Sequence, residues 1–242
     1  MKKILLATVA AAALSTSSAY ANTNEGTFYL KANAGWDKLT APKANYNGIT
    51  AINGVRGITG GKFKSGNDAY FGVGAGYYVM DNARFDLTFD HLFNPNTKSN
   101  GTINLTPAAI AAGYTDIKFN SKVKSTVNSL LLNGYMDLGT IDAFKFFVGA
   151  GLGVSQVSAK QTTTINSNVP GIPANTNLKA KSKYNLAYAG HVGVAYELAP
   201  GITGELAYSY RYLGKSKDFG NVKGSAITYK GHFVGAGVRF DI

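Results

Sequence analysis

The sequence predicts an all-β chain: an eight-stranded antiparallel up-and-down transmembrane β-barrel with short periplasmic turns and four long extracellular loops. Three observations carry that expectation. Apolar residues alternate with small or polar ones over eight separate stretches, the period of a strand with two unlike faces. The connections between those stretches alternate short and long, as in barrels whose turns face one side of a membrane and whose loops face the other. An export signal stands ahead of them all.

Composition excludes several classes. Of 242 residues, 45% are hydrophobic and only 15% charged, against about 25% charged in soluble chains. There are 29 Gly, 15 Tyr, 13 Phe and no Cys. Without Cys there is no disulfide scaffold, thiolate metal site or cysteine nucleophile. Three His make a histidine-rich metal site a poor fit, and no cofactor is expected. After residue 21 no run of about 18 apolar residues occurs, so no transmembrane helix is expected.

Residues 1–21 read as a signal peptide. Met1-Lys2-Lys3 is the basic region, Ile4 to Leu14 the apolar core, and Ala19-Tyr20-Ala21 the small-residue cleavage site. Cleavage after Ala21 leaves one barrel domain, 22–242, with 22 basic and 13 acidic residues. Its strands are expected at about 27–36, 70–80, 84–93, 125–137, 144–156, 185–197, 203–212 and 229–242. In the first, Phe28, Leu30, Ala32, Ala34 and Trp36 share one face. In the fifth, Phe144, Phe146, Val148, Leu152 and Val154 oppose Lys145, Gly149, Gly151 and Gly153. The short connections are 81–83, 138–143 and 198–202, the last containing Pro200-Gly201. The long ones are 37–69, 94–124, 157–184 and 213–228. The glycines of the non-apolar face suit a crowded interior, which turns the aromatic face toward lipid.

Two GxGxG runs, 72–76 and 149–153, lack the strand–turn–helix context of a nucleotide site and read as interior packing. The inward face also carries charges of both signs: Lys31, Arg84, Asp86, Asp90, Asp137, Lys145, Glu197, Glu205, Arg211, Arg239 and Asp241. A barrel this narrow is filled by its own side chains, and buried charges must pair. Ion pairs among Arg84, Asp86, Glu205, Arg211 and Arg239 are therefore expected, with Glu205 close to Arg239. A narrow gated channel is the alternative use of the same residues. Glu197 and Glu205 are the carboxylates to weigh for acid–base chemistry, and His91, His191 and His232 for a Ser/His/Asp arrangement. Neither set has supporting spacing, and the chain is read as a non-enzyme.

Charge concentrates in the long connections, which hold 16 basic residues and four acidic ones. The candidate polyanion-binding set is Lys38, Lys43, Arg56, Lys62, Lys64, Lys98, Lys118, Lys160, Lys179, Lys181, Lys183, Lys215, Lys217 and Lys223. Lysines attract at long range rather than by bidentate recognition. The expected partners are outer-membrane lipid and lipopolysaccharide-type phosphates, and a host surface protein or sulfated glycan. An exported barrel is not expected to meet nucleic acid.

Five segments carry a family likeness: Gly72-Val73-Gly74-Ala75-Gly76-Tyr77 leading to Asp81-Asn82-Ala83-Arg84; Leu132-Asn133-Gly134-Tyr135-Met136-Asp137; Val148-Gly149-Ala150-Gly151-Leu152-Gly153-Val154; Gly193-Val194-Ala195-Tyr196-Glu197-Leu198-Ala199-Pro200-Gly201; and Tyr208-Ser209-Tyr210-Arg211-Tyr212. The chain resembles the small eight-stranded surface-antigen barrels of the OmpA and opacity-protein superfamily, and within it the Adr-type adhesins of rickettsial bacteria. The resemblance implies insertion by the barrel assembly machinery, a monomer in the cell outer membrane, and surface-exposed loops acting as an adhesin or antigen. Such barrels usually end in an aromatic residue; here Ile242 is last and Phe240 lies two before it. The competing functions are a small pore or hydrophobic-solute conduit and a structural envelope protein.

Overall fold

Each alternating stretch forms a strand, and successive ring strands pair antiparallel until the last meets the first. The computed structural model describes residues 25–40, 55–60, 64–93, 95–170, 174–219 and 226–242. The expected signal peptide, 1–21, lies outside them. In chain order the elements are β1 (Phe28–Leu39), β2 (Val55–Gly60), β3 (Lys64–Ser65), β4 (Asn67–Met80), β5 (Ala83–Phe93), β6 (Asn96–Leu105), α1 (Pro107–Ala111), β7 (Ile117–Ile141), β8 (Phe144–Asn166), β9 (Asn175–Ala199), β10 (Ile202–Lys215) and β11 (Thr228–Asp241). The ring runs β1-β4-β5-β7-β8-β9-β10-β11, and β11 closes on β1. Ala34 faces Ala236 across the seam. Beside the seam, Ile242 N donates to Phe28 O over 2.8 Å.

Three tight turns join strands at one end. At 199–202, Pro200 fixes its own φ and Gly201 takes φ 74°, the positions a type II turn assigns to them. Asp142 holds φ 54° in its turn, a conformation Asp tolerates better than most residues.

At the other end the strands run further than expected. β7 begins at Ile117 rather than 125, and β8 and β9 form a hairpin reaching Asn166 and Asn175. β6 pairs with the outer part of β7, while β2 and β3 pair with β6. Two of the four long connections are thus largely strand, a fin built on β7, β8 and β9. Backbone pairing holds the fin together. Above a membrane its outward face needs no apolar residues, and Lys, Asn and Thr stand there.

The apolar face points out. Phe85, Leu87, Phe89, Leu130, Leu132, Val148, Leu152, Val154 and Leu186 are all exposed. On β8 this face runs from Phe144 to Val154, which at about 3.3 Å per residue and a tilt of about 40° gives roughly 25 Å of height. Inside, Gly76 leaves room for the Tyr29 ring, whose Cζ occupies the place a Cβ at 76 would take.

The lumen has two storeys. The half nearer the tight turns holds charge. The half nearer the long connections holds Leu39, Leu92, Val123, Val127, Leu131, Val157, Leu213, Phe219, Ile227 and Phe233, packed as an apolar core. The sequence reading fills the whole barrel with ion pairs; the structure gathers most of them in one storey, with Arg211–Asp90 set against Tyr70 and Phe233 at the edge of the apolar one. Phe219 and Ile227 come from the connection between β10 and β11 and close the lumen from above. Burial pushes the hydroxyl of Tyr229, which lies above the lipid-facing band, up to about 12, so it stays neutral and bonds Ser125 Oγ.

Candidate functional site

Period 2 sends the charged residues of five ring strands into one layer. Glu205 on β10 is its hub. Its Oε1 lies 3.0 Å from Arg84 Nη2 and 3.1 Å from Arg239 Nε, and its Oε2 lies 3.1 Å from Lys31 Nζ. Lys31 also reaches Asp86 Oδ2 at 3.4 Å, and Arg84 Nη1 reaches Asp137 Oδ1 at 2.6 Å. The Arg84 guanidinium sits between the rings of Tyr135 and Phe147, 4.7 and 4.8 Å from their centroids. One layer up, Arg211 Nη1 lies 3.0 Å from Asp90 Oδ2, with Tyr70 and Phe233 flanking the guanidinium. Across β10 and β11, Tyr212 is in register with Lys230 and Glu205 with Gly237, and the pairing is irregular between Tyr212 and Lys215. Arg239 is then one diagonal step from Glu205.

This layer leaves little space. A void of about 30 Å³ remains among Lys31, Asn33, Asp90, Asn133, His191 and Arg211, room for about one or two waters. Asp37 stands apart. It is buried, neither of its oxygens has a hydrogen-bond partner among the described residues, and it is in register with Asp68.

The catalytic alternatives do not come together. Glu197 is exposed at the tight-turn rim, while Glu205 is engaged by three cations. His91 Nδ1 meets Asn128 Oδ1 at 2.6 Å, His232 Nδ1 meets the Tyr208 hydroxyl at 2.6 Å, and His191 Nε2 meets Asn133 Oδ1 inside the lumen. The three histidines occupy separate places.

The cations of the long connections make a different arrangement. Lys124 is in register with Lys160, and Lys160 with Lys179, on three adjacent strands. Two residues further out, Lys122 faces Lys98, and Lys98 faces Lys64. Six lysines from five strands thus form one band on the outward face of the fin, about 5 Å from strand to strand. Lys64, Lys98, Lys124, Lys160 and Lys179 are exposed. An open groove of about 290 Å³ lies along Lys124, Thr126, Ser158, Lys160 and Lys179. Like charges directly opposite one another destabilise a sheet, so the band holds four unfavourable pairs. The sequence reading includes Lys122 and Lys124 in the loop charge but not in its binding set; only the register reveals them.

The other candidates are dispersed. Lys38, Lys118, Lys181, Lys215 and Lys217 are exposed at the long-connection end, while Lys183 is half-buried opposite Val157. Lys43, Lys62 and Lys223 lie outside the described residues, as does the side chain of Arg56, whose backbone is in β2. At the fin tips, Asn168 accepts from Thr115 N over 2.9 Å and from Thr115 Oγ1 over 3.1 Å, and its Nδ2 donates to Gly113 O over 3.0 Å. That side chain clasps the β8–β9 tip to the β6–β7 tip.

Comparison with known proteins adds a family and relatives. The model of the outer membrane protein beta-barrel domain matches residues 6–240. A protein of Rickettsia bellii (strain RML369-C), named "Putative adhesin", is 34% identical over 253 residues spanning 100% of both chains. Another of that name, from Rickettsia conorii (strain ATCC VR-613 / Malish 7), is 33% identical over 271 residues, again across 100% of both. Among solved structures, Neisserial surface protein A aligns over 90% of this chain and 100% of its own, with a TM-score of 0.47 and 18% identity.

Proposed function

We propose that this chain, which belongs to the outer membrane protein beta-barrel family, is a surface adhesin that holds host cells through its basic long connections. It lies in the outer membrane with those connections outside. The single observation that carries the reading is their charge: 16 basic residues against four acidic ones, with Lys98, Lys118, Lys160 and Lys179 exposed on the fin. Relatives named as putative adhesins, matched end to end at about one-third identity, support it.

The contact is electrostatic. Exposed lysines act over about 8 Å at physiological ionic strength and raise encounter rate and weak affinity without a shaped pocket. Sulfated glycans or acidic protein segments on the host surface fit such cations. Each contact is modest, and many barrels on one cell add avidity. The role is display, not catalysis. The conduit reading gains no support from a lumen closed by Phe219 and Ile227 above and by the Glu205 network below.

The test is attachment of barrel-displaying cells to host cells across a salt series, with soluble heparin as competitor. Attachment is expected to fall with salt and heparin, and with Ala in place of Lys118, Lys181, Lys215 and Lys217. Attachment that ignores all three overturns the electrostatic contact, and attachment unchanged when the whole chain is deleted overturns the adhesin reading.

A further inference from the structure

The lysine band looks sideways. Lys124 lies on the same outward face of β7 as Leu130, and Lys160 on the same face of β8 as Val154. Six residues separate Lys160 from Val154, about 20 Å along the strand and roughly 15 Å above the apolar edge at a tilt of about 40°. The ammonium groups reach about 6 Å down from there by extending their stems toward the membrane. A simple phospholipid headgroup rises only about 5–8 Å above the hydrocarbon. A sugar-bearing headgroup rises further and meets the band.

We propose that Lys64, Lys98, Lys122, Lys124, Lys160 and Lys179 form a binding site for the phosphate groups of the membrane's own outer-leaflet glycolipid. The site rests on the outer-membrane position of the barrel and not on the adhesin reading. Four like-charge cross-strand pairs oppose pairing of the fin, and bridging phosphates reverse that sign. Among the described residues, no acidic side chain stands in register with any of the six. The cations are all lysine, point charges with freely rotating donors that suit phosphates presented at variable angles. Thr126 and Ser158 line the same groove on its membrane side and add hydroxyl donors below the ammonium row. A host glycan arriving from outside meets the fin tips first. The band's flank is the part that neighbouring lipid covers.

The test uses the full mature chain in two sets of vesicles, phosphatidylcholine alone and phosphatidylcholine with lipopolysaccharide. The readouts are lipopolysaccharide retained per barrel after detergent extraction, counted by its sugar, and the temperature of the heat-modifiable gel shift. The wild type is expected to retain lipopolysaccharide and to unfold at a higher temperature with it. A variant with Gln at 124, 160 and 179 is expected to retain about a hundredfold less, since each lysine beside an anionic lipid surface contributes about fivefold. A variant with Gln at 181, 215 and 217 removes the same charge from other positions and is expected to match the wild type in lipopolysaccharide retention and gel-shift temperature. If the band triple fails to fold, Lys160→Gln, central to its row, is expected to lower retention severalfold, and Arg at all three positions to preserve it.

Equal loss from both triples reduces the band to net charge and overturns the proposal. So does equal retention of dephosphorylated lipopolysaccharide. Heparin fragments bound by the band in preference to lipopolysaccharide assign it to a sulfated host chain instead. Loss of host attachment by the 181/215/217 variant alone leaves the lipid site standing, and loss of retention by the band triple alone leaves the adhesin reading standing.

Discussion

Arg84 Nη2 lies 3.0 Å from Glu205 Oε1, across a lumen and 121 residues of chain. The guanidinium is clamped between Tyr135 and Phe147, so it cannot turn to another partner without leaving two rings. Glu205 in turn touches Arg84, Lys31 and Arg239 together, while Asp137 also pairs with Arg84 and Asp86 with Lys31. Without Glu205 the layer would hold three buried cations against those two carboxylates.

Glu205→Ala is expected to destabilise the barrel by about 3–5 kcal/mol, because it leaves buried charge uncompensated. The measurement is the midpoint of the heat-modifiable gel shift in detergent. Arg239→Met is expected to cost less, since Lys31 and Arg84 still satisfy both oxygens. Midpoints unchanged in both variants would mean that water reaches the layer.

Asp37→Asn is expected to act in the opposite direction. Asp37 is 2% exposed, both its oxygens lack a hydrogen-bond partner among the described residues, and its register neighbour is Asp68. Replacing a buried carboxylate that lacks hydrogen bonds and stands beside another acid is expected to raise stability by about 1–3 kcal/mol, read as a higher gel-shift midpoint near neutral pH. A lower midpoint would show that the carboxylate has a structural partner.

Arginine on the outward face is expected to cost stability according to depth. Leu132 lies in the middle of the band, in register with Leu87 and Leu152. Leu132→Arg should destabilise the protein in bilayers by about 2–4 kcal/mol, and Leu138→Arg, close to the tight turn, by about 0–1. Equal effects at the two positions would be incompatible with the proposed orientation in the membrane.

The ring was legible because its strands must answer two solvents. Phe144 to Val154 alternates with Lys145, Gly149, Gly151 and Gly153 since lipid lies on one side and a crowded lumen on the other. The same logic hid the fin. Residues 118–124 and 160–166 carry Lys, Asn and Thr on the outer face and a mixed row of Phe119, Ser121, Val123, Gln161, Thr163 and Ile165 on the other, too irregular to leave an apolar signature. The apolar storey was hidden differently: Leu39, Leu213, Phe219 and Ile227 sit in or beside long connections, where isolated apolar residues show no period. The lysine band was the least legible. Positions 64, 98, 122, 160 and 179 are remote in sequence, and only register, set by backbone hydrogen bonds, places them side by side.

The Asn168 clasp bears on how the surface is recognised. Gly113 and Thr115 belong to one tip and Asn168 to another, over fifty residues away along the chain, yet a single amide side chain makes them one contour. An antibody fitted to that contour reads a discontinuous epitope. Boiling the protein or presenting either tip as a linear peptide erases it, so sera raised against the denatured chain recognise a different molecule from the one the cell displays.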